Sequence, residues 1–261
     1  MKPINSKSRL LLLIVFTLMI LITLTSNNNT SGHHEIRIKK QIFNNMNQDI
    51  HEHIVQLPQP RSDSDYSIEE VMLKRRTHRN FVKSTISMED LSQVLWAAYG
   101  ITKTDNSREI FRGGFRTAPS AGATFPLEVY AIVGKVKGID SGVYRYISDG
   151  HKLVPEINED IRSELAQAAL NQEMIADAPA SLFFSAVFER TTQRYGDRGR
   201  ERYVCMEIGH VAQNVYLQAE ALGLGTCAIG AFNDDKVARV MQLPDEEEPL
   251  YIMPIGRYYR D

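Results

Sequence analysis

The sequence predicts an α+β fold, and three observations carry the prediction. Apolar strand patterns are mixed with long helical ones rather than alternating as regular βαβ units. Two strand patterns are joined as a hairpin through Gly138-Ile139-Asp140-Ser141-Gly142. The longest helical pattern, Arg200 to Leu222, stops at Gly223-Leu224-Gly225 and runs into a strand. That order is the reverse of the strand–turn–helix order that sets a pyrophosphate on a helix N-terminus, so a dinucleotide-binding doubly wound sheet is rejected. With 261 residues, 43% of them hydrophobic, the chain can bury one ordinary core, with or without an appendage.

At the N-terminus, Lys2, Lys7 and Arg9 precede an uncharged run from Leu10 to Leu24. At 1.5 Å per residue that run spans about 22 Å, short of the ~30 Å hydrocarbon core of a bilayer. Length favours the core of a signal peptide, whereas Leu24-Thr25-Ser26 lacks the small residues that a signal peptidase prefers. A cleaved peptide and a membrane anchor both stay open, and under either the positive-inside bias predicts an exported chain, secreted or membrane-anchored. The expected organisation is a signal peptide or anchor over 1–25, a polar tether over 26–60 and a folded domain over 61–261. The tether ends in Leu57-Pro58-Gln59-Pro60, with a short helix around Gln41 to Ile54. Its His33-His34 and His51-x-His53 read as solvated side chains, because no carboxylate or cysteine pattern completes a metal site.

Within the domain, Ser67-x-x-Glu70 is a capping box opening a helix through Arg76. Ser87-x-x-Asp90 opens a second, whose apolar face is Leu91, Val94, Leu95 and Ala98 and whose end is Gly100. Leu127 to Val133 reads as a buried strand and Val143 to Ile147 as its hairpin partner. Asp160 to Gln172 is helical, Ser181 to Phe188 a further strand, and Thr226 to Ala231 and Leu250 to Ile255 the last strands. In the longest helix Val204, Ile208, Val211 and Val215 step by four, three and four residues along one face.

The formal net charge of −2, with basic residues clustered rather than striped, gives no reason to expect a nucleic-acid partner. Cys205 and Cys227 read as buried thiols, and one disulfide would need an oxidising compartment. Gly-x-Ser-x-Gly, His-Glu-x-x-His and a P-loop are absent from the sequence. The chemistry concentrates in Lys74-Arg75-Arg76-Thr77-His78-Arg79-Asn80-Phe81, in Ala118-Pro119-Ser120-Ala121-Gly122-Ala123 and in Gly223 to Phe232. Two adjacent arginines at a helix end also suit a solvated terminal turn opposing the helix dipole. Arg79 is harder to assign so, and Arg75, Arg76 and the Thr77 hydroxyl offer the converging donors that a phosphate needs. Small residues in the other two segments let backbone N–H groups approach a flat ring. The three segments together point to flavin mononucleotide (FMN). Ser120, His210 and Asp177 make a hydrolytic triad only on paper. Glu207, on the helix of His210, reads as a carboxylate hydrogen-bonded across an interface.

These segments, with Val187-Phe188-Glu189-Arg190-Thr191, Glu207-x-Gly209-His210-Val211-x-Gln213-Asn214 and Pro254-Ile255-Gly256, give the chain from about Leu57 to Gly256 a family resemblance. It resembles the nitroreductase superfamily, in its SagB-type (thiazole/oxazole oxidase-like) dehydrogenase branch. The resemblance implies an FMN-binding fold with a central, mostly antiparallel sheet flanked by helices, working as a homodimer with its flavins at the subunit interface. It implies that Arg75, Arg76 and Thr77 hold the phosphate and that Arg79 faces the N1/O2 edge of the ring. Pro119, Ser120 and Ala121 would approach from the second subunit. Gly230 and Ala231 match the stretch beside flavin N5, and Asn171 and Gln172 fall where the family places an amide at the pyrimidine edge. The implied activity is hydride transfer between flavin N5 and NAD(P)H or a small-molecule or peptide substrate. The other class to weigh is a membrane-tethered, flavin-free binding protein that kept the fold, and a third is a hydrolase using Ser120.

Overall fold

The computed structural model describes residues 54–105, 107 and 112–259. Residues 1–25 and the tether up to residue 53, with its expected helix, lie outside the described residues. The first described element, at Val55, lies inside the stretch expected to be tether.

In chain order the elements are β1 (Val55–Gln56), α1 (Ile68–Lys74), α2 (Met88–Tyr99), β2 (Ile101–Thr104) and β3 (Gly114–Arg116). A three-stranded meander follows, β4 (Leu127–Val133), β5 (Gly142–Ile147) and β6 (Lys152–Ile157), then α3 (Arg162–Ala168), α4 (Met174–Asp177) and β7 (Ala180–Ala186). The last part is α5 (Glu189–Tyr195), a π-turn over Gly199–Tyr203, α6 (Val204–Ala221), β8 (Gly225–Thr226), α7 (Asp234–Val240) and β9 (Glu248–Gly256). Seven strands form one sheet in the order β1-β6-β5-β4-β7-β9-β8, every neighbouring pair antiparallel. Strands β2 and β3 pair separately.

The central strands are apolar on both faces because helices cover both. Leu127, Val129, Ala131 and Val133 of β4 point to one core together with Leu91, Val94 and Leu95 of α2 and Ile208, Val211 and Val215 of α6. Tyr130 and Ile132 point to the other, with Leu165 of α3 and Val237 of α7. That double burial explains why β4 and β7 are buried along their whole length and mostly apolar, with Glu128, Ser181 and Ser185 the polar members, rather than alternating.

Local rules hold where they are local. Ser87 and Asp90 form both halves of the capping box of α2, and Gly100 ends it. The Ser67 hydroxyl accepts from the Glu70 N–H at 3.1 Å, but α1 stops at Lys74, two residues before the expected end. The first element is held by a side-chain clamp. Leu57 is buried, and the Pro58 carbonyl meets the Ser92 hydroxyl at 2.6 Å and His151 Nε2 at 3.1 Å. His151 Nε2 also lies 2.7 Å from Ser92 Oγ, and its Nδ1 lies 2.8 Å from the Tyr146 hydroxyl. A neutral ring with its proton on Nε2 satisfies all of these contacts, with the Tyr146 O–H donating to Nδ1.

The expectation of an exported, membrane-anchored or secreted chain is corrected. Among the described residues no helix is long and apolar enough to cross a membrane. The longest, α6, buries one face on the sheet and exposes His210 and Gln213 on the other, the pattern of a helix packed on a core.

Candidate functional site

The cationic segment leaves α1 at Arg75, the C-cap, with an extended ψ of 124°. Arg76 Nη1 turns back to the carbonyls of Leu73 (3.0 Å) and Arg75 (2.8 Å), so this arginine caps the helix end. It also lines an open cavity of about 420 Å³ with Tyr66, Lys74, Glu220 and Tyr258. Arg75 points elsewhere: its guanidinium lies over the Tyr216 ring, 5.4 Å from the centroid. Thr77 is exposed, with its hydroxyl 3.4 Å from the Tyr216 hydroxyl. His78 anchors the segment. Its N–H donates to the Thr226 carbonyl at 3.0 Å, and its ring stacks on Tyr258 with centroids 3.6 Å apart. Burial holds the His78 imidazole below its usual pKa, with Arg75 and Arg76 adding to that and Glu220 opposing it. Arg79 is exposed and hydrogen-bonds the Cys227 thiol; burial raises that thiol's pKa, and Arg79 counters part of the rise.

The strand expected from Thr226 to Ala231 is paired only at Gly225–Thr226, with one further bridge between Ile229 and Ile252. Side chains take the backbone groups in between and beyond. The Ala228 N–H donates to the Tyr216 hydroxyl at 2.8 Å, and Gln172 Nε2 donates to the Ala231 carbonyl at 2.8 Å. Gln172 reaches that position because Leu170 and Asn171 adopt left-handed conformations, both with φ of 59°, after α3 ends. Gly230 and Ala231 are exposed on this turn, as is Asn171. The structure therefore sets Arg75, Thr77 and the Ala228 N–H against Tyr216, Arg79 against Cys227, and Gln172 against Ala231 a few residues further on. Sequence reasoning missed Tyr216, and its position three residues past Gln213 in the quoted helix motif was the available signal.

Pro119, Ser120 and Ala121 form a second group. Here Gly122, Ala123 and Phe125 have φ of 60°, 56° and 43°, left-handed values that non-glycine residues adopt only when held. Ser120 Oγ holds the turn by accepting from the Phe125 N–H at 2.9 Å. The Ser120 hydroxyl also bonds Glu207, which accepts from the Tyr99 hydroxyl at 2.6 Å. Glu207 is buried, and that burial raises its carboxyl pKa against the opposing bonds from Ser120 and Tyr99 and the charge of Arg116. Glu207 is thus bonded to Tyr99 and Ser120 of its own chain. With Ser120 engaged by Phe125 and Glu207, and with His210 and Asp177 both exposed, no hydrolytic triad is assembled. Cys227 is buried as expected, whereas Cys205 is exposed, and both thiols are free.

The two groups sit nine residues apart on α6, at Tyr216 and Glu207, which is about 13 Å along the helix. The segment runs along α6 between them, since the Thr117 carbonyl, just before Pro119, accepts from Asn214 Nδ2 at 3.3 Å.

Residues 72–257, more than two thirds of the chain, match the model described as the nitroreductase family. The chain is 47% identical over 203 residues to a Methanocaldococcus jannaschii protein named as a nitroreductase, covering 78% of this chain and 96% of that relative. It is 25% identical to the microcin B17-processing protein McbC of Escherichia coli over 67% of this chain and 63% of the relative. It is 23% identical to an FMN reductase (NADPH) of Bacillus subtilis over 72% and 64%. Among solved structures, a nitroreductase-like protein of Ralstonia eutropha superposes with a TM-score of 0.67 at 28% identity, covering 80% of this chain and 91% of that one. The Escherichia coli microcin synthetase McbBCD complex matches with a TM-score of 0.59 at 24% identity, over 78% and 77%, a likeness of fold.

Proposed function

The chain belongs to the nitroreductase family and is an oxidoreductase of the flavin type, and from that premise we propose that it depends on FMN and moves a hydride between flavin N5 and NAD(P)H or a small-molecule or peptide substrate. The observation that carries the reading is that Tyr216 contacts Arg75, Thr77 and the Ala228 N–H, two residues before the exposed Gly230–Ala231 turn, while Arg79 bonds Cys227 in the same segment.

That donor set fits a phosphorylated ring compound. Arg75 and the Thr77 hydroxyl are the anion-binding pair, and Arg76, committed in part to capping α1, adds charge from behind. The Gly230–Ala231 backbone lies exposed for a flat ring to approach. Gln172 has both Nε2 contacts satisfied by Ala169 and Ala231, which leaves its Oε1 as the acceptor for a ring N–H. When bound, FMN supplies a ring that takes up a hydride and later releases two electrons. Arg79 would hold permanent positive charge near the edge that gains negative charge on reduction. Gly230 and Ala231 would keep side-chain bulk away from the reacting face.

Pro119, Ser120 and Ala121, of which Ser120 bonds Glu207 nine residues before Tyr216 on α6, would serve the site of a second copy. One face of α6 exposes Met206, Gly209, His210 and Gln213 and suits a homodimer contact. The similarity to McbC supports the SagB-type branch and a peptide substrate, and that to the FMN reductase supports a nicotinamide donor.

The test is direct. Purified full-length protein should be yellow or become so with FMN, release flavin on denaturation, and bleach anaerobically with NADH, NADPH or a substrate. Sedimentation should give a dimer. A protein that takes up no flavin refutes the assignment.

A further inference from the structure

We infer that Tyr216 is a positioning residue that aims the Thr77 hydroxyl at the flavin phosphate and locks it to the turn carrying Gly230 and Ala231, so that it sets the preference for FMN over riboflavin. The inference rests on the FMN reading above.

Tyr216 contacts both halves of the cluster. Its ring is packed against the core beneath α6 and carries the Arg75 guanidinium 5.4 Å from its centroid. Its hydroxyl accepts the Ala228 N–H at 2.8 Å. Thr77 Oγ1 lies 3.4 Å from the same oxygen, and either atom can be the donor. The two polarities differ in what they leave over. If Thr77 donates, the Tyr216 oxygen takes two protons from neighbours and its own O–H has no assigned acceptor. If Tyr216 donates, every polar atom is used once: Ala228 N–H to Tyr216 O, Tyr216 O–H to Thr77 Oγ1, and the exposed Thr77 O–H outward as a donor to an anion. The second polarity makes Thr77 a better phosphate ligand than an unoriented hydroxyl, because its proton is already turned away from the protein. At 3.4 Å the Tyr216–Thr77 bond is long, and a phosphate pulling on the Thr77 proton polarises and shortens it. The Ala228 bond meanwhile ties Tyr216 to the segment that passes through the Ile229–Ile252 bridge into the Gly230–Ala231 turn.

Phenylalanine keeps the ring, the packing and the Arg75 contact and removes only the hydroxyl, so Tyr216→Phe isolates the relay. The full-length flavin-free protein, Tyr216→Phe, Thr77→Val and the double variant are titrated with FMN and with riboflavin by flavin fluorescence quenching. Tyr216→Phe should weaken FMN about tenfold and riboflavin about threefold or less. In the Thr77→Val background its effect on FMN should shrink to that on riboflavin, and Thr77→Ser should keep the wild-type preference. Equal weakening of both flavins, or independent multiplying effects of the two substitutions, overturns the relay while leaving the FMN reading intact. If Tyr216→Phe fails to fold, Thr77→Val alone decides: retention of the wild-type FMN-to-riboflavin ratio rejects the aimed hydroxyl. A wild-type chain that binds neither flavin overturns both readings.

Discussion

Replacing Gly225 by alanine should separate the cationic segment from the sheet edge. The backbone at Gly225 has no left-handed φ, so the effect is one of space alone. An added Cβ would stand 2.7 Å from His78 Cβ and 2.9 Å from Tyr258 Cδ1. Carbon atoms pack best about 3.5–4.0 Å apart, so both neighbours must withdraw by most of an ångström. The nearer atom is a Cβ fixed to the backbone, and no change of rotamer moves it. The chain at His78 has to shift, at the expense of its bond to the Thr226 carbonyl and its stack on Tyr258. Overpacking costs about 1–3 kcal/mol, and a weakened hydrogen bond or stack each about 0.5–1.5 kcal/mol. A net loss near 2 kcal/mol corresponds to a fall in Tm of about 4–8 °C for a domain of this size. Urea unfolding should show a lower midpoint at unchanged slope, and FMN titration a weaker affinity, because Arg75, Thr77 and Arg79 flank the displaced residue. Adding Tyr258→Ala should recover only part of the loss, since His78 Cβ remains in place. Wild-type midpoint and affinity in Gly225→Ala would refute the close-approach argument.

Three further outcomes are expected. Burial keeps the His151 imidazole below its ordinary pKa, so its stabilising contribution is complete above about pH 6.5 and is lost as pH falls from there toward the folded value. His151→Gln should flatten the dependence of urea midpoint on pH between 7.5 and 5.5, and an unaltered slope would count against the neutral clamp. Glu247, almost fully buried, accepts from the Tyr130 and Ser185 hydroxyls and pairs with Arg145, which also meets Glu128 and Glu156, so Glu247→Ala should cost about 1–3 kcal/mol, chiefly by leaving the two buried hydroxyls without their acceptor; a loss below about 0.5 kcal/mol by denaturant melts would show the network to be dispensable. Arg79→Ala should weaken FMN binding and lower the potential of the flavin that remains, and spectroelectrochemistry giving unchanged values would remove Arg79 from the ring edge.

Elements whose causes lie within a few residues were legible. The capping box at Ser87 and Asp90, the apolar run of β4 and the glycine-bounded hairpin into β5 fall where the sequence places them. The cationic segment was legible as a cluster, though not in its division of labour, since only the coordinates show Arg76 turned onto α1 and Arg75 onto Tyr216. Strand β6 was missed because Lys152 to Ile157 carries a proline and mixed polarity at the flank of the sheet. Asp160 to Gln172 was read as one helix, whereas Leu170 and Asn171 break it into the turn that delivers Gln172. Thr226 to Ala231 has the composition of a strand, and nothing local reveals that a tyrosine ten residues upstream of Thr226 takes the Ala228 N–H.

By itself the sequence determined the α+β class, the family and the short segments dense in arginine, threonine and glycine, because composition, capping and apolar period are set by near neighbours. Tertiary structure alone decided which of those groups are occupied and which stay available. Ser120 is tied to Phe125 and Glu207, while Thr77 is exposed beside Tyr216, 139 positions away along the chain. A hydrogen-bond partner of that kind exists only once α6 has packed on the sheet, so no reading of neighbouring residues could supply it.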